Sequence, residues 1–301
     1  MVDNQMRAQR NVVYGETDQE KLTADIYMPN KGENLPVVIL IHGGAFQSGS
    51  KEMYAEWGSY LAQSGFVAMA VNYRLATSKY STWPSVLDDI HQAANWLVGK
   101  ANEFNIDPLK MAVIGDSAGA HIGSIFSFQS QARSSYKIQA CVGVYGVYDL
   151  THPGSNREAQ MFQKLIGKPF NEASNVYKEA STYYYIEDAI SSPTFDTDFF
   201  LIWGDSDIVA SPSHSENLTQ ESGLNVKTLV YPGQGHFWFN LTPGLEGGAL
   251  KDFPNKDVAP KVIQFLKDSL DSSVIGILSK PQIQKLVKPA KFKGKCKVLF
   301  V

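Results

Sequence analysis

Short, unbroken apolar runs recur along this 301-residue chain, and glycine and polar side chains close each one within a few residues. They fall at 36–41 (PVVILI), 66–71 (FVAMAV), 111–114 (MAVI), 140–145 and 199–203, and a mixed run, VKTLVY, follows at 226–231. A strand that shows one face to water alternates polar and apolar residues. A strand covered on both faces does not need to, so these runs read as strands inside a parallel sheet. Residues 22–27 (LTADIY) do alternate, as a half-exposed antiparallel strand would. Between the runs lie stretches of helical period. One spans 54–64 and is closed by Gly65; a longer one spans 85–104, with Val86, Leu87, Ile90, Ala93, Ala94 and Leu97 on one face. Others follow Ser117 and cover 257–270. Strand–helix–strand alternation predicts an α/β fold, a mainly parallel sheet with helices on both faces. Such sheets bind ligands beyond the carboxyl ends of their strands. The segments at those ends are HGGAF at 42–46, GDSAG at 115–119, YDL at 148–150, GDSD at 204–207 and GQGH at 233–236.

Composition removes several classes of function. With 44% hydrophobic residues and a net charge of −3, the chain has the means to bury a core. No apolar run approaches the roughly 20 residues that span a bilayer, so membrane insertion is not expected. The first residues lack the apolar stretch of a secretory signal. Two cysteines, Cys141 and Cys296, are too few for a disulfide framework or a cysteine zinc site, and the expected location is cytoplasmic. The small net charge hides an asymmetry. Residues 276–301 hold seven lysines and no acid, leaving 20 Lys+Arg against 30 Asp+Glu in the other 275 residues. An acidic body is unsuited to nucleic acid. The tail from 272 to 301 carries Pro281 and Pro289, which break any long amphipathic helix, and is expected to be a disordered or junction-derived appendage to a domain spanning 1–271.

The chemistry centres on Ser117, in Gly115-Asp116-Ser117-Ala118-Gly119, between a strand and a helix. A nucleophile on so sharp a turn needs glycines two residues to either side, because larger side chains would collide. A serine hydroxyl also needs a base. Of six histidines, His91 and His214 read as solvated, and His152 opens an irregular region. His121 points away from Ser117 along its own helix, and His42 orders a loop. His236, late in the chain at a strand end, remains as the base. The acid that holds its tautomer is sought after the run FFLIW, where Asp205 shapes the turn and Asp207 lies deeper in the loop, with Asp149 as a further candidate. Backbone amides of the HGGAF loop and of Ala118 are placed to meet a developing oxyanion.

Together, HGGAF, VNYRLA at 71–76, WPSVLDDIHQAANWL at 83–97, GDSAG, GDSD and GQGH resemble the α/β-hydrolase superfamily. Within it they are most similar to hormone-sensitive-lipase-like carboxylesterases and the feruloyl and acetyl esterases, over roughly residues 20 to 270. The resemblance implies an eight-stranded, mostly parallel sheet flanked by helices, with a short lid insert at about 151–197. It implies Ser117, Asp207 and His236 as catalytic triad. Gly44, Ala45 and Ala118 would form the oxyanion hole, with Gly43 the lesser candidate. It further implies a small-molecule ester as substrate, hydrolysed through an acyl-enzyme, with no cofactor and no metal. Three departures stand out: HGGA in place of HGGG, Trp203 where the group has a histidine, and Thr77-Ser78 after YRLA in place of Pro-Glu. Kynurenine formamidases are similar too, through Ser117-Ala118-Gly119-Ala120-His121, which makes an arylformamidase the alternative. A non-catalytic binder on the same fold is the rival from another class.

The insert carries Phe162, Phe170, Tyr177, Tyr183, Tyr184, Tyr185 and Phe195, and Phe237, Trp238 and Phe239 follow the histidine. These aromatics either line an apolar or aromatic acyl pocket or seal the insert onto the sheet. So short an insert favours short-to-medium or aromatic acyl groups over long lipid chains.

Overall fold

A computed structural model describes residues 6–18 and 20–271. Eight strands form one sheet in the order β1-β2-β4-β3-β5-β6-β7-β8. In chain order they are β1 (Met6–Glu16), β2 (Lys21–Pro29), β3 (Leu35–Ile41), β4 (Val67–Val71), β5 (Ile106–Asp116), β6 (Ile138–Val144), β7 (Asp198–Gly204) and β8 (Val226–Tyr231). The β1/β2 and β2/β4 pairs are antiparallel. All others are parallel, including the central β3/β5 ladder, where Ile41 lies opposite Gly115. This is the α/β-hydrolase architecture.

Why the runs do not alternate is visible in β3. Val37, Ile39 and Ile41 enter one hydrophobic cluster and Val38 and Leu40 the other, one on each side of the sheet, and all five are fully buried. Each such side chain contributes roughly 1.5–3 kcal/mol by leaving water. Helices α1 (Ala55–Gln63) and α9 (Asn255–Leu270) supply Trp57, Leu61, Val262 and Leu266 to the second cluster. Helices α2 (Ser85–Gly99) and α4 (Ala118–Ser130) supply Ile90, Leu97, Ile122 and Phe126 to the first.

Three details differ from the sequence reading. The strand β1 precedes the expected first strand. The helix expected over 85–104 is two pieces, α2 and the short α3 (Ala101–Phe104), ended by Asn105 in a left-handed conformation (φ 55°). The insert is helical rather than irregular, with α5 (Asn156–Ile166), α6 (Phe170–Glu179), a 3-10 turn (Thr182–Tyr185) and α7 (Ile186–Ser191). Helix α5 starts at Ser155, whose Oγ accepts from the Glu158 amide, and stops at Gly167 with φ 85°. Helix α8 (Ser213–Glu221) then packs beside β7. Residues through Leu270 cluster as one unit. The lysine-rich tail lies outside the described residues.

Candidate active site

Ser117 sits where β5 becomes α4, with φ 50° and ψ −118°. Neither neighbouring glycine tolerates a side chain. A Cβ on Gly115 would come within 2.3 Å of the Gly119 carbonyl, and one on Gly119 within 2.0 Å of the Ile41 carbonyl. The turn is therefore held by backbone packed on backbone, and Ala118 opens the helix with an amide that has no intrahelical acceptor.

His236 and Asp207 come together from loops after β8 and β7. The His236 Nδ1 lies 2.6 Å from Asp207 Oδ2, and both side chains are almost fully buried. The other carboxylate oxygen accepts from the amides of Val209 (2.8 Å) and Ala210 (3.0 Å), so Asp207 cannot swing away. Asp205 accepts from the Gly233 amide and ties the two loops together, the turn-shaping role expected of it. Asp149 bonds Thr151 and His152 instead. The imidazole of His236 packs against Tyr145 (ring centroids 4.2 Å apart) and Phe237 (4.5 Å).

The HGGAF loop runs through left-handed backbone at Gly44 (φ 120°), Ala45 (φ 55°) and Phe46 (φ 64°). Alanine tolerates this conformation at a modest cost, which is how HGGA stands in for HGGG. The Gly43 amide donates to Asp116 Oδ1 (2.9 Å), so it is already spent, consistent with its lesser place as an oxyanion donor. Two neighbours brace the loop. The Tyr73 hydroxyl donates to the His42 carbonyl (2.7 Å) and the Ala76 amide to that of Phe46 (2.7 Å). Arg74 next to them is clamped by Asp89 (2.5 Å), which explains the VNYRLA motif. Burial pushes His42 down to about 4, so its ring stays neutral, with Nδ1 against the Gly43 carbonyl (2.7 Å). That is the loop-ordering role expected of it.

Two histidines read as solvated are not. His91 lies between Tyr136 and Gln129 and is lowered by burial. His214 is buried with Nε2 3.3 Å from Glu158. Both carry polar partners from distant segments that local pattern does not reveal. His121 is fully buried, pushed down to about 4 by burial, with Nε2 2.6 Å from the Ala180 carbonyl. It anchors the insert to α4 and faces away from Ser117, as expected.

Sequence reasoning passed over Asp116. It is buried, and its Oδ1 accepts from Gly43, from the Tyr54 hydroxyl (2.9 Å) and from Asn240 Nδ2 (2.8 Å). Burial raises its carboxyl above the ordinary range, against the pull of Tyr54, the Gly43 amide and Asn240. One side chain thus joins the loop that carries Gly44 and Ala45, the turn that carries Ser117 and the loop after His236. Its place inside GxSxG was the only available hint.

Two cavities meet at Ser117. One of about 370 Å³ is lined by Gly44, Ala45, Ser117, His236 and Phe237 together with α5. The other, about 400 Å³, is lined by Gly44, Met53, Asp116, Ser117, Phe237 and Pro243. Of the aromatics in the insert, none lines either cavity. Phe162 and Tyr177 are buried in the core, and Phe195 stacks on Phe128, so they seal the insert down. Among the described residues no three His, Cys, Asp or Glu side chains gather to hold a metal ion.

The model of the BD-FAE family matches residues 24–221, from within β2 to the end of α8. The chain belongs to the BD-FAE family. Among curated relatives, esterase LipC of Mycobacterium tuberculosis is 29% identical over 262 residues, 79% of this chain and 62% of the relative. Probable carboxylic ester hydrolase LipM of the same organism is 30% identical over 57% of this chain and 41% of the relative. A probable isoprenylcysteine alpha-carbonyl methylesterase of Oryza sativa subsp. japonica is 26% identical over 79% and 59%. The chain thus spans 41% to 62% of these relatives' lengths. Solved structures agree on the fold. A truncated carbohydrate esterase from gut microbiota superposes with a TM-score of 0.69 at 21% identity, covering 89% of this chain and 99% of that one. Carboxyl esterase 2 of Tuber melanosporum gives 0.70 at 18% identity, over 89% and 88%. Among the described residues, no helix is long and apolar enough to cross a membrane.

Proposed function

We propose that this BD-FAE family member hydrolyses carboxylic esters of small molecules through an acyl-enzyme. Ser117 is the nucleophile. His236 is the base: its Nδ1 is committed to Asp207, leaving Nε2 to take the serine proton and return it to the leaving alcohol. Asp207 fixes the tautomer and stabilises the imidazolium. The amides of Gly44, Ala45 and Ala118 answer the oxyanion, each worth roughly 3 kcal/mol when it meets developing charge. Water then releases the acyl group by the same route in reverse. The observation that carries this reading is the buried 2.6 Å His236–Asp207 pair, whose imidazole lines the same cavity as Ser117.

Cavities of about 370 and 400 Å³ on either side of Ser117 offer separate room for a short-to-medium acyl group and an alcohol. The activities for which two relatives are named, esterase and carboxylic ester hydrolase, support the same reaction class. The test is labelling by a fluorophosphonate, followed by turnover of acetyl, butyryl, octanoyl and feruloyl esters beside N-formylkynurenine. Covalent labelling at Ser117 and ester turnover lost in Ser117→Ala are expected. Faster formamide turnover would make the chain an amidase, and ligand binding without labelling would make it a binder.

A further inference from the structure

The two cavities at Ser117 differ in charge. On the α5 side the lining includes Arg157, Glu158, Gln160, Met161 and Lys164. Arg157 and Lys164 are seven residues apart, two helical turns, so they share one face of α5 with Gln160 and Met161 between them. Both are exposed, and among the described residues neither forms an ion pair. Glu158 does not neutralise them towards a ligand. It is 1% exposed, and its carboxylate is taken up by the amides of Gly154 and Ser211 (2.6 Å) and by His214 (3.3 Å). The other acid nearby, Asp207, is closed by His236 and two amides.

Beyond Gln160 and Lys164 a further cavity of about 390 Å³ continues the groove. It adds Lys79 with Thr77, Ser78, Tyr80 and Ser81, and no acid lines it. Three unpaired cations therefore run outward from the catalytic serine on a body in which acids outnumber bases. Helix stability does not account for Arg157 either. It stands in the first turn of α5, where the helix dipole disfavours a cation.

We propose that the ester this enzyme is built for carries an anionic group, a carboxylate, on the part that lies against α5, and that Arg157 and Lys164 hold it. The proposal rests on the esterase reading above and specifies its substrate class. Arg157 offers a planar fork that suits a carboxylate, and Lys164 a point charge. In a cavity open to water, two such contacts amount to about a fivefold to tenfold preference in kcat/KM.

The experiment compares 4-acetoxybenzoate with 4-acetoxybenzamide, which differ in charge and little in shape, for wild type and for Arg157→Gln/Lys164→Gln. The wild type should favour the benzoate at 20 mM salt. That ratio should collapse towards one at 500 mM salt, and in the double variant at low salt. A ratio of one or less in the wild type overturns the proposal, and so does a proportionate loss of both substrates in the variant. Calorimetric titration of Ser117→Ala with 4-hydroxybenzoate and 4-hydroxybenzamide reads the cations without turnover. Salt-sensitive preference for the benzoate supports the anion site even where no ester is cleaved, in which case the esterase reading is what fails. Equal or absent binding of the two overturns the anion site itself.

Discussion

Replacing Asp116 tests whether one buried carboxylate holds the active-site loops in register. In Asp116→Ala three buried donors lose their acceptor: the Gly43 amide, the Tyr54 hydroxyl and the Asn240 amide. A buried donor left unmade costs about 1–3 kcal/mol, which sets a ceiling near 9. Asp116 also lines the cavity of about 400 Å³, so water can enter and satisfy at least one donor. Removing a carboxylate whose ionised form is itself disfavoured by burial returns a little more. The net expectation is a loss of about 3–5 kcal/mol, a large part of an ordinary domain's stability. Asp116→Asn keeps an acceptor oxygen in place and should lose only about 1–2 kcal/mol, the difference between charged and neutral hydrogen bonds. Urea unfolding at constant slope gives both numbers. Ester turnover should fall further in the alanine variant than in the asparagine variant, because the freed Gly43 loosens the loop that carries Gly44 and Ala45. If alanine and asparagine variants are equally stable within about 1 kcal/mol, the three-way clamp is not a clamp and the reasoning fails.

Other outcomes follow from the same contacts. Asp207→Asn should fold normally yet lose about 10⁴ in kcat, because an amide nitrogen facing His236 Nδ1 selects the wrong tautomer; a loss under tenfold would remove Asp207 from the triad. Gly119→Ala should destabilise by about 3 kcal/mol or more, since the new methyl meets the Ile41 carbonyl at 2.0 Å, and a melting point equal to wild type would contradict it. Asp25 contributes to stability on the acid side. Burial raises its carboxyl, but the Asn11 amide, Arg10 and Lys51 outweigh that and hold it below the ordinary value. A depressed folded-state pKa contributes stability that is present above about pH 4 and is lost as pH falls through the folded value. Melting temperature should therefore decline below pH 4 in wild type and decline less steeply in Asp25→Asn; parallel curves would show that the pairing is not linked to folding.

How much of this was legible depended on whether the controlling partners were local. The buried runs 36–41 and 111–114 declare themselves because both faces of β3 and β5 are covered, and Ser117 is marked by two flanking glycines, of which Gly115 is crowded by Gly119 only four residues on. The strand β1 escaped because its outer residues are polar and exposed, and Asn11 interrupts the register with φ 54°. Helix α5 could have been found: Met161, Phe162, Leu165 and Ile166 fall at helical spacing and are buried. His214 could not, since Glu158 lies 56 positions away, and the same holds for Asp116, whose partners come from 73 and 124 residues off. The aromatic residues of the insert looked like a binding wall only because burial and lining cannot be told apart by residue type.

Helix α5 has one further implication. Glu158, Met161, Phe162 and Leu165 tie it to the core and, through the Ser211 amide, to the loop bearing Asp207. Arg157, Gln160 and Lys164 line the cavity, and among the described residues no ion pair ties Arg157 or Lys164 to the fold. Inheritance can therefore rewrite the second set while leaving the first untouched, and new substrate preferences can arise by drift at three outward positions without endangering folding or the catalytic machinery. Such a helix works as an exchangeable keyboard on a fixed instrument, and a library randomised at those three sites alone should yield variants that stay folded while their ester preferences diverge.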